Sequence, residues 1–332
     1  MRFRTRAVHV GVDKDPAHGA VSTPIYQTST FRFRSLDAPP EYDYTRTANP
    51  TRTALAENLA SLEGGAGAVC CATGMAACTL VFMGLSAGDH VIAPDDLYGG
   101  SYRLLARVLR ERWKLDVTFV RMTDLDLVRA AIRPSTRLLW IETPSNPLLR
   151  IFDIARLVEI SRERGIRTAA DNTFASPFFQ RPLELGCDLV VHSTTKYLNG
   201  HSDVVGGAVV ARTPELVEEL KFLNNALGVS QAPFDAWLVL RGVKTLALRM
   251  KAHEAGAFEV ARFLARHPRV RRVHFPGLEV HPGHDVARRQ MSGYPGMLSF
   301  ELESGEAARA VSARTRFFKL AESLGGTASL IE

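Results

Sequence analysis

Gly67-Ala-Val-Cys-Cys71-Ala-Thr73-Gly74-Met75-Ala-Ala-Cys-Thr-Leu-Val-Phe-Met-Gly-Leu85-Ser-Ala-Gly88-Asp-His90-Val-Ile-Ala93 decides the fold class of this chain. A short apolar run, Gly67–Cys71, passes through a Gly-containing turn into helical spacing over Met75–Leu85, and a second apolar run follows at His90–Ala93. The alternation continues outward. Helices are expected at Ser101–Arg112, Leu125–Ile132 and Ile154–Arg164, and strands at Val117–Val120, Leu138–Ile141, Arg167–Ala170, Leu189–His192 and Gly207–Ala211. Strands alternating with helices predict an α/β fold whose mostly parallel sheet is covered on both faces. Beyond Pro233 a long helical stretch breaks near Arg241-Gly242 and ends near His267-Pro268. A smaller α+β pattern follows (Val270–His274, Met297–Leu302, Glu306–Ala313). The expected divisions are an aperiodic arm at 1–50, in which Pro39–Arg46 reads as extended, a large domain at 51–242 and a smaller one at 243–332.

Composition narrows the function classes. With 332 residues, 46% of them hydrophobic, and a mean hydropathy of −0.03, the chain has ample apolar material for a core. No apolar run reaches the roughly 18 residues of a membrane span, and the basic start, Met1 to Arg6, lacks the apolar stretch of a signal peptide. The net charge of +6 is spread over helix faces such as Arg103 to Arg112 rather than over a dense stripe, so no nucleic-acid partner is expected. Cys70, Cys71, Cys78 and Cys187 show no paired spacing, no metal site is expected, and a cytoplasmic setting fits. Gly84-Leu-Ser86-Ala-Gly88 matches a serine-hydrolase nucleophile elbow, but here a helix precedes it and a strand follows, the reverse of what that turn requires.

Four features remain. Thr73-Gly74 opens a helix straight after a strand, leaving free N–H groups and a positive dipole end, a seat for phosphate. Asp171 ends an apolar strand, where it either caps a helix or faces a ligand at the carboxyl edge of the sheet. Lys196 follows His192-Ser193-Thr194-Thr195 just past another strand; it is a solvated charge or, if buried, an amine able to attack a carbonyl. Tyr98 lies on the Gly-rich turn Asp95–Gly100, as a rim aromatic or a ring platform. A phosphate seat, a carboxylate, an amine and an aromatic on one sheet edge are together what pyridoxal 5′-phosphate requires.

These residues lie in motifs that resemble the Cys/Met-metabolism family of pyridoxal-phosphate (PLP) enzymes, the cystathionine γ-synthases and γ-lyases. The motifs are Tyr44-Thr-Arg46-Thr-Ala-Asn-Pro-Thr, Ala72-Thr-Gly74-Met75-Ala-Ala, Asp96-Leu-Tyr98-Gly-Gly, Glu142-Thr-Pro-Ser-Asn146-Pro, Asp171-Asn-Thr-Phe-Ala-Ser-Pro, His192-Ser193-Thr-Thr195-Lys196-Tyr-Leu-Asn-Gly-His-Ser-Asp and Ala321-Glu322-Ser323-Leu-Gly-Gly. The resemblance implies the aspartate-aminotransferase-like fold, type I, with a seven-stranded sheet. It implies that Lys196 links covalently to PLP and moves protons, that Asp171 faces the pyridine nitrogen, and that Asn146 lies near the ring hydroxyl. Gly74, Met75, Ser193 and Thr195 would hold the phosphate, and Tyr98 would stack on the ring and assist proton transfer.

Tyr44 and Arg46 would reach the phosphate of a neighbouring subunit, which implies a homo-oligomer, typically a homotetramer built as a dimer of dimers. Asp43, Glu322 and Ser323 would meet the substrate with Tyr98 and Asn146. The resemblance also implies a sulfur amino acid or acyl-homoserine substrate, with elimination and replacement both open. The acidic pair Asp43 and Glu322 matches acids that γ-synthases and γ-lyases carry and β-lyases tend to lack, and it favours cystathionine chemistry over methionine degradation. Gly100, where methionine γ-lyases carry a cysteine, disfavours that activity. Methionine γ-lyase and O-acylhomoserine sulfhydrylase remain the alternatives. Family members extend past Glu332 to an arginine that clamps the substrate α-carboxylate, so a relative that binds PLP but turns over poorly is a further expectation.

Overall fold

The computed structural model describes residues 1–12, 15, 17–38 and 40–332. Pro39, the first residue of the stretch expected to be extended, lies outside the described residues. The central sheet has seven strands: β1 (Gly67–Cys71), β2 (His90–Pro94), β3 (Asp116–Val120), β4 (Thr136–Glu142), β5 (Arg167–Asp171), β6 (Leu189–Ser193) and β7 (Gly207–Ala211). Their spatial order is β1-β7-β6-β5-β4-β2-β3. β7 runs antiparallel to both of its neighbours, and the other pairings are parallel.

Helices α1 (Phe3–His9), α2 (Pro50–Glu63), α3 (Gly74–Phe82), α4 (Gly99–Arg103) and α5 (Arg110–Arg112) come first, the last two joined by a π-helical turn, Leu104–Leu109. There follow α6 (Leu125–Ala131), α7 (Ile154–Arg162), α8 (Ser176–Phe179), α9 (Pro214–Leu227), α10 (Pro233–Val243) and α11 (Leu246–Ala265). The remainder holds β8 (Val270–His274) paired with β9 (Ser299–Leu302), α12 (His284–Gln290) and α13 (Gly305–Arg314).

Alternation along the strands sorts the core. Trp140, Ala169, Leu189, Val191 and Val209 join Phe82, Ala77 and Cys78 of α3 on one face. Val190, Val210, Ala68 and Cys70 meet Leu55, Leu59 and Leu62 of α2 and Leu240 and Val243 of α10 on the other. Both faces are apolar because both are covered, the condition under which parallel strands read as continuous hydrophobic runs. Caps set where the helices begin. Asn49 accepts the Thr51 N–H at 3.0 Å ahead of Pro50, and Thr73 accepts the Ala76 N–H at 2.8 Å. Gly64, at φ +78°, ends α2 in the left-handed conformation.

The N-terminal segment differs from the aperiodic arm expected of it. α1 is helical, buries Ala7 and packs on α2, whose Asn58 Nδ2 donates to the carbonyls of Arg6, Ala7 and Val10. Seven residues carrying two arginines leave too short an apolar stripe for periodicity to register; tertiary contact makes the helix. Helix α3 stops at Phe82 rather than Leu85, and α10 and α11 break at residues 244–245, close to Gly242.

Candidate functional site

The carboxyl ends of β4, β5 and β6 carry Glu142, Asp171 and Ser193, and the N-terminus of α3 abuts the last of them. A Cβ on Gly74 would lie 2.7 Å from Ser193 Cβ and 2.9 Å from its Oγ. One on Gly207 would lie 2.1 Å from the Thr73 carbonyl oxygen. The two glycines let the helix start and the strand ends approach to contact. Because Thr73 satisfies the Ala76 N–H, the first-turn donors of Gly74 and Met75 have no partner within the helix and lie at its positive end. That cradle fits a phosphate.

Asp171 Oδ1 accepts the Thr173 N–H at 3.0 Å, and the Thr173 hydroxyl accepts the Ser193 N–H at 2.8 Å, which ties the ends of β5 and β6. Burial pushes the Asp171 carboxyl above its ordinary range, against the Thr173 hydrogen bonds and the nearby His192. A charged pyridinium nitrogen would favour the ionised form of a carboxylate in this position. Glu142 stands beside it, paired in register with Asp171 across β4 and β5. One Glu142 oxygen accepts the Tyr98 N–H at 2.7 Å, and the other is buried without a partner. Burial first, and then Asp171, hold the Glu142 carboxyl well above the usual range. The sequence reading gave Glu142 no role, although an acid ending a strand beside Asp171 carries the same signal that singled out Asp171.

Lys196 is half-buried, and its Nζ donates to Ser323 Oγ at 3.0 Å. Burial lowers its pKa, while Glu332 and Glu322 act in the opposite sense. Ser323 sits at φ +116°, a strained conformation for a residue with a Cβ. The Thr195 hydroxyl accepts the Gly206 N–H at 3.0 Å. Tyr98 packs against Met75 and Gly100: a Cβ on Gly100 would fall 2.4 Å from Tyr98 Cε1 and 2.8 Å from Met75 Sδ. The main chain of Asn146 lies near the Glu142 carboxyl and acts to lower its pKa against burial and Asp171. Gly74, Met75, Tyr98, Asn146, Asp171, Ser193, Thr195, Lys196 and Ser323 are thus linked through direct contacts or one intermediate.

The arm residues stand on other elements. Arg46 Nη1 donates to the Asn225 carbonyl at 2.8 Å, and its guanidinium lies 5.7 Å from the Tyr44 ring centroid. The Asp43 carbonyl accepts the Phe31 N–H at 2.8 Å. Tyr44 is 45% exposed, so it is presented outward from the chain that carries it. Among the described residues no cluster of His, Cys, Asp and Glu could hold a metal ion, and no helix is long and apolar enough to cross a membrane.

The family model for Cys/Met metabolism PLP-dependent enzymes matches residues 4–332. A probable cystathionine gamma-synthase of Herpetosiphon aurantiacus is 53% identical over 315 residues, covering 95% of this chain and 98% of that protein. A cystathionine beta-lyase of Coxiella burnetii is 49% identical over 330 residues, covering 99% of this chain and 85% of the other. The structure of cystathionine gamma synthase from Xanthomonas oryzae pv. oryzae, in complex with aminoacrylate and cysteine, superimposes with a TM-score of 0.97 at 50% identity. That match covers 99% of this chain and 86% of the other.

Proposed function

Because the chain belongs to the Cys/Met metabolism family of PLP-dependent enzymes, we propose that it acts on cystathionine or an O-acyl-homoserine, eliminating or replacing the group on the γ-carbon. The observation that carries the reading is the placement of a half-buried carboxyl, Asp171, at the end of β5 and a half-buried amine, Lys196, just past the end of the neighbouring β6, beside the free N-terminus of α3. The 53% identity to a probable γ-synthase supports the choice of substrate class. When bound, PLP supplies an aldehyde for amines and a ring that stores the electron pair left at Cα.

In this reading Lys196 takes the proton from the substrate Cα and moves a proton at Cβ; its lowered pKa favours the neutral amine that this work needs. Asp171 would hold the ring nitrogen in its charged form. The Gly74 and Met75 amides, with the Ser193 and Thr195 hydroxyls, would hold the phosphate. Tyr98 and Asn146 would contact the ring, while Asp43, Glu322 and Ser323 would meet the substrate. A side chain at Gly100 would displace Tyr98 and Met75 from where they stand, which disfavours the cysteine that methionine γ-lyases carry there. Arm residues Tyr44 and Arg46 complete the site of a second copy, in a homotetramer of two such dimers. Residues 51–242 form the cofactor domain and 243–332 a second one. Four buried free thiols suit a cytoplasmic setting.

The products decide. Purified protein is incubated with cystathionine alone, and separately with an O-acyl-homoserine plus cysteine. Oxobutanoate and ammonia from the first, or cystathionine from the second, support γ-chemistry. Pyruvate with homocysteine from the first, and nothing from the second, would replace it with the β-lyase reaction that the Coxiella relative's name denotes. Lys196→Ala is expected to abolish either activity, and a fully active variant would remove Lys196 from the mechanism.

A further inference from the structure

We propose that Arg249 and His253, one turn apart on α11, are positioning residues for Lys196: Arg249 grips the backbone immediately after it, and His253 grips the turn that supplies its Ser323 partner. Arg249 Nη1 donates to the Tyr197 carbonyl at 2.6 Å and Nη2 to the Leu198 carbonyl at 3.3 Å. Nη2 also reaches the Gly242 carbonyl at 2.8 Å, closing the end of α10, and Nε donates to Thr245 Oγ1 at 3.0 Å. Residues 194–200 form a closed knot, with the Gly200 N–H on the Lys196 carbonyl at 2.8 Å and the Asn199 N–H on the Thr194 carbonyl at 2.9 Å. Without Arg249, the carbonyls of Tyr197 and Leu198 would be half-buried acceptors with no donor, which a folded chain avoids.

The space is set for that guanidinium. A Cβ on Gly200, at φ +72°, would fall 1.9 Å from Arg249 Nη1, and one on Gly242 would fall 2.2 Å from the Asn199 carbonyl oxygen. His253 holds the opposite side. Its ring meets Tyr197 edge-on at 5.1 Å and hydrogen-bonds the main chain of Gly325, two residues past Ser323. Gly325, at φ +78°, lies so close that a Cβ would fall 2.6 Å from the Tyr197 nitrogen. One face of one helix therefore ties together the lysine turn and the turn that bears its hydroxyl partner. Burial draws the Arg249 guanidinium down to about 10, still charged at neutral pH, and a planar fork spanning three carbonyls is something a lysine cannot reproduce.

The proposal rests on the reading of Lys196 as the amine that takes PLP, and the experiment separates the two. Holoenzyme is reduced with borohydride and the tagged peptide mapped; a tag away from Lys196 overturns that reading and the proposal with it. With the tag at Lys196, Arg249→Lys, Arg249→Met and His253→Phe are compared with wild type. The readouts are the pH midpoint of the bound cofactor's visible absorbance, the rate at which apoprotein captures added pyridoxal phosphate, kcat and KM separately, and thermal stability.

A misplaced reacting group costs up to about 100-fold, so kcat is expected to fall about 10- to 100-fold with KM within about threefold. Capture is expected to slow about tenfold, the pH midpoint to move, and Arg249→Lys to give no rescue. Loss of thermal stability with wild-type capture rate, pH midpoint and kcat would reduce the pair to a structural prop and overturn the proposal. If Arg249→Met does not fold, Gly200→Ala, which crowds the guanidinium without removing it, is judged by the same readouts. Finally, His253→Phe in a Ser323→Ala background should move the pH midpoint no further; additive shifts would contradict the route through Ser323.

Discussion

Replacing Gly74 by Ala sets two effects of opposite sign against each other. Within a helix Ala is favoured over Gly by up to about 1 kcal/mol, so local propensity alone says the variant is the more stable. The packing says otherwise. The added methyl would sit 2.7 Å from Ser193 Cβ, 2.9 Å from Oγ and 3.1 Å from Cα, where ordinary carbon contacts lie near 3.5–4.0 Å. Rotating the hydroxyl clears only one of the three, so the start of α3 and the end of β6 must separate by about 1 Å, a strain of about 1–3 kcal/mol. We expect a net loss of about 1–2 kcal/mol in apoprotein stability, measured by urea unfolding.

The same separation spreads the phosphate cradle. Pyridoxal phosphate should bind about tenfold or more weakly, each 1.4 kcal/mol being a factor of ten, whereas pyridoxal, which lacks the phosphate, should lose little. Equilibrium titration of the apoprotein with each compound makes the comparison. Deleting the clashing side chain tests the cause: in a Ser193→Gly background Gly74→Ala should cost clearly less stability than in wild type. Equal weakening of both compounds, or a stabilised variant with unchanged affinity, would refute the reasoning.

Two further outcomes follow from the site. Glu142 and Asp171 both have folded-state pKa values above their ordinary 4.5 and 3.8, so above that range the folded apoprotein holds more protons than the unfolded chain. Their contribution to stability is then complete at low pH and is lost as pH rises through the folded values, at up to about 1.4 kcal/mol per pH unit for each proton. Glu142→Gln, which cannot ionise but still accepts the Tyr98 N–H, should flatten that decline in thermal melts; an unchanged slope would show that Glu142 ionises normally. For the arm, Lys196→Ala and Arg46→Ala proteins should each be inactive, while refolded mixtures should recover up to about a quarter of wild-type activity, because only hybrids hold one intact site. Mixtures as inactive as their components would place Arg46 in its own subunit's chemistry.

What the sequence reveals depends on which partner an interaction uses. β1 to β7 were legible because each is a short apolar run between turn residues, but such a run reads alike in both directions, and only the pairings of Gly207–Ala211 with Gly67–Cys71 and Leu189–Ser193 show β7 to be antiparallel. Asp171 and Lys196 were legible because a charge at the end of an apolar strand is conspicuous; Glu142 was equally so, but its meaning needs the β4–β5 register that sets it beside Asp171. α1 was not legible, since its burial comes from Asn58, 48 to 52 residues away along the chain.

Arg249 is the extreme case. Of its four acceptors, three are backbone carbonyls, and every residue has one, so no residue type at positions 197, 198 or 242 announces the contact. Such a contact leaves its trace by exclusion instead. Where a guanidinium and three turns are pressed together, side chains must be missing, and Gly200, Gly242 and Gly325 are the positions where a Cβ would collide with Arg249, Asn199 and Tyr197. Gly242, a glycine inside α10, is therefore as informative about this packing as the charged residue beside it.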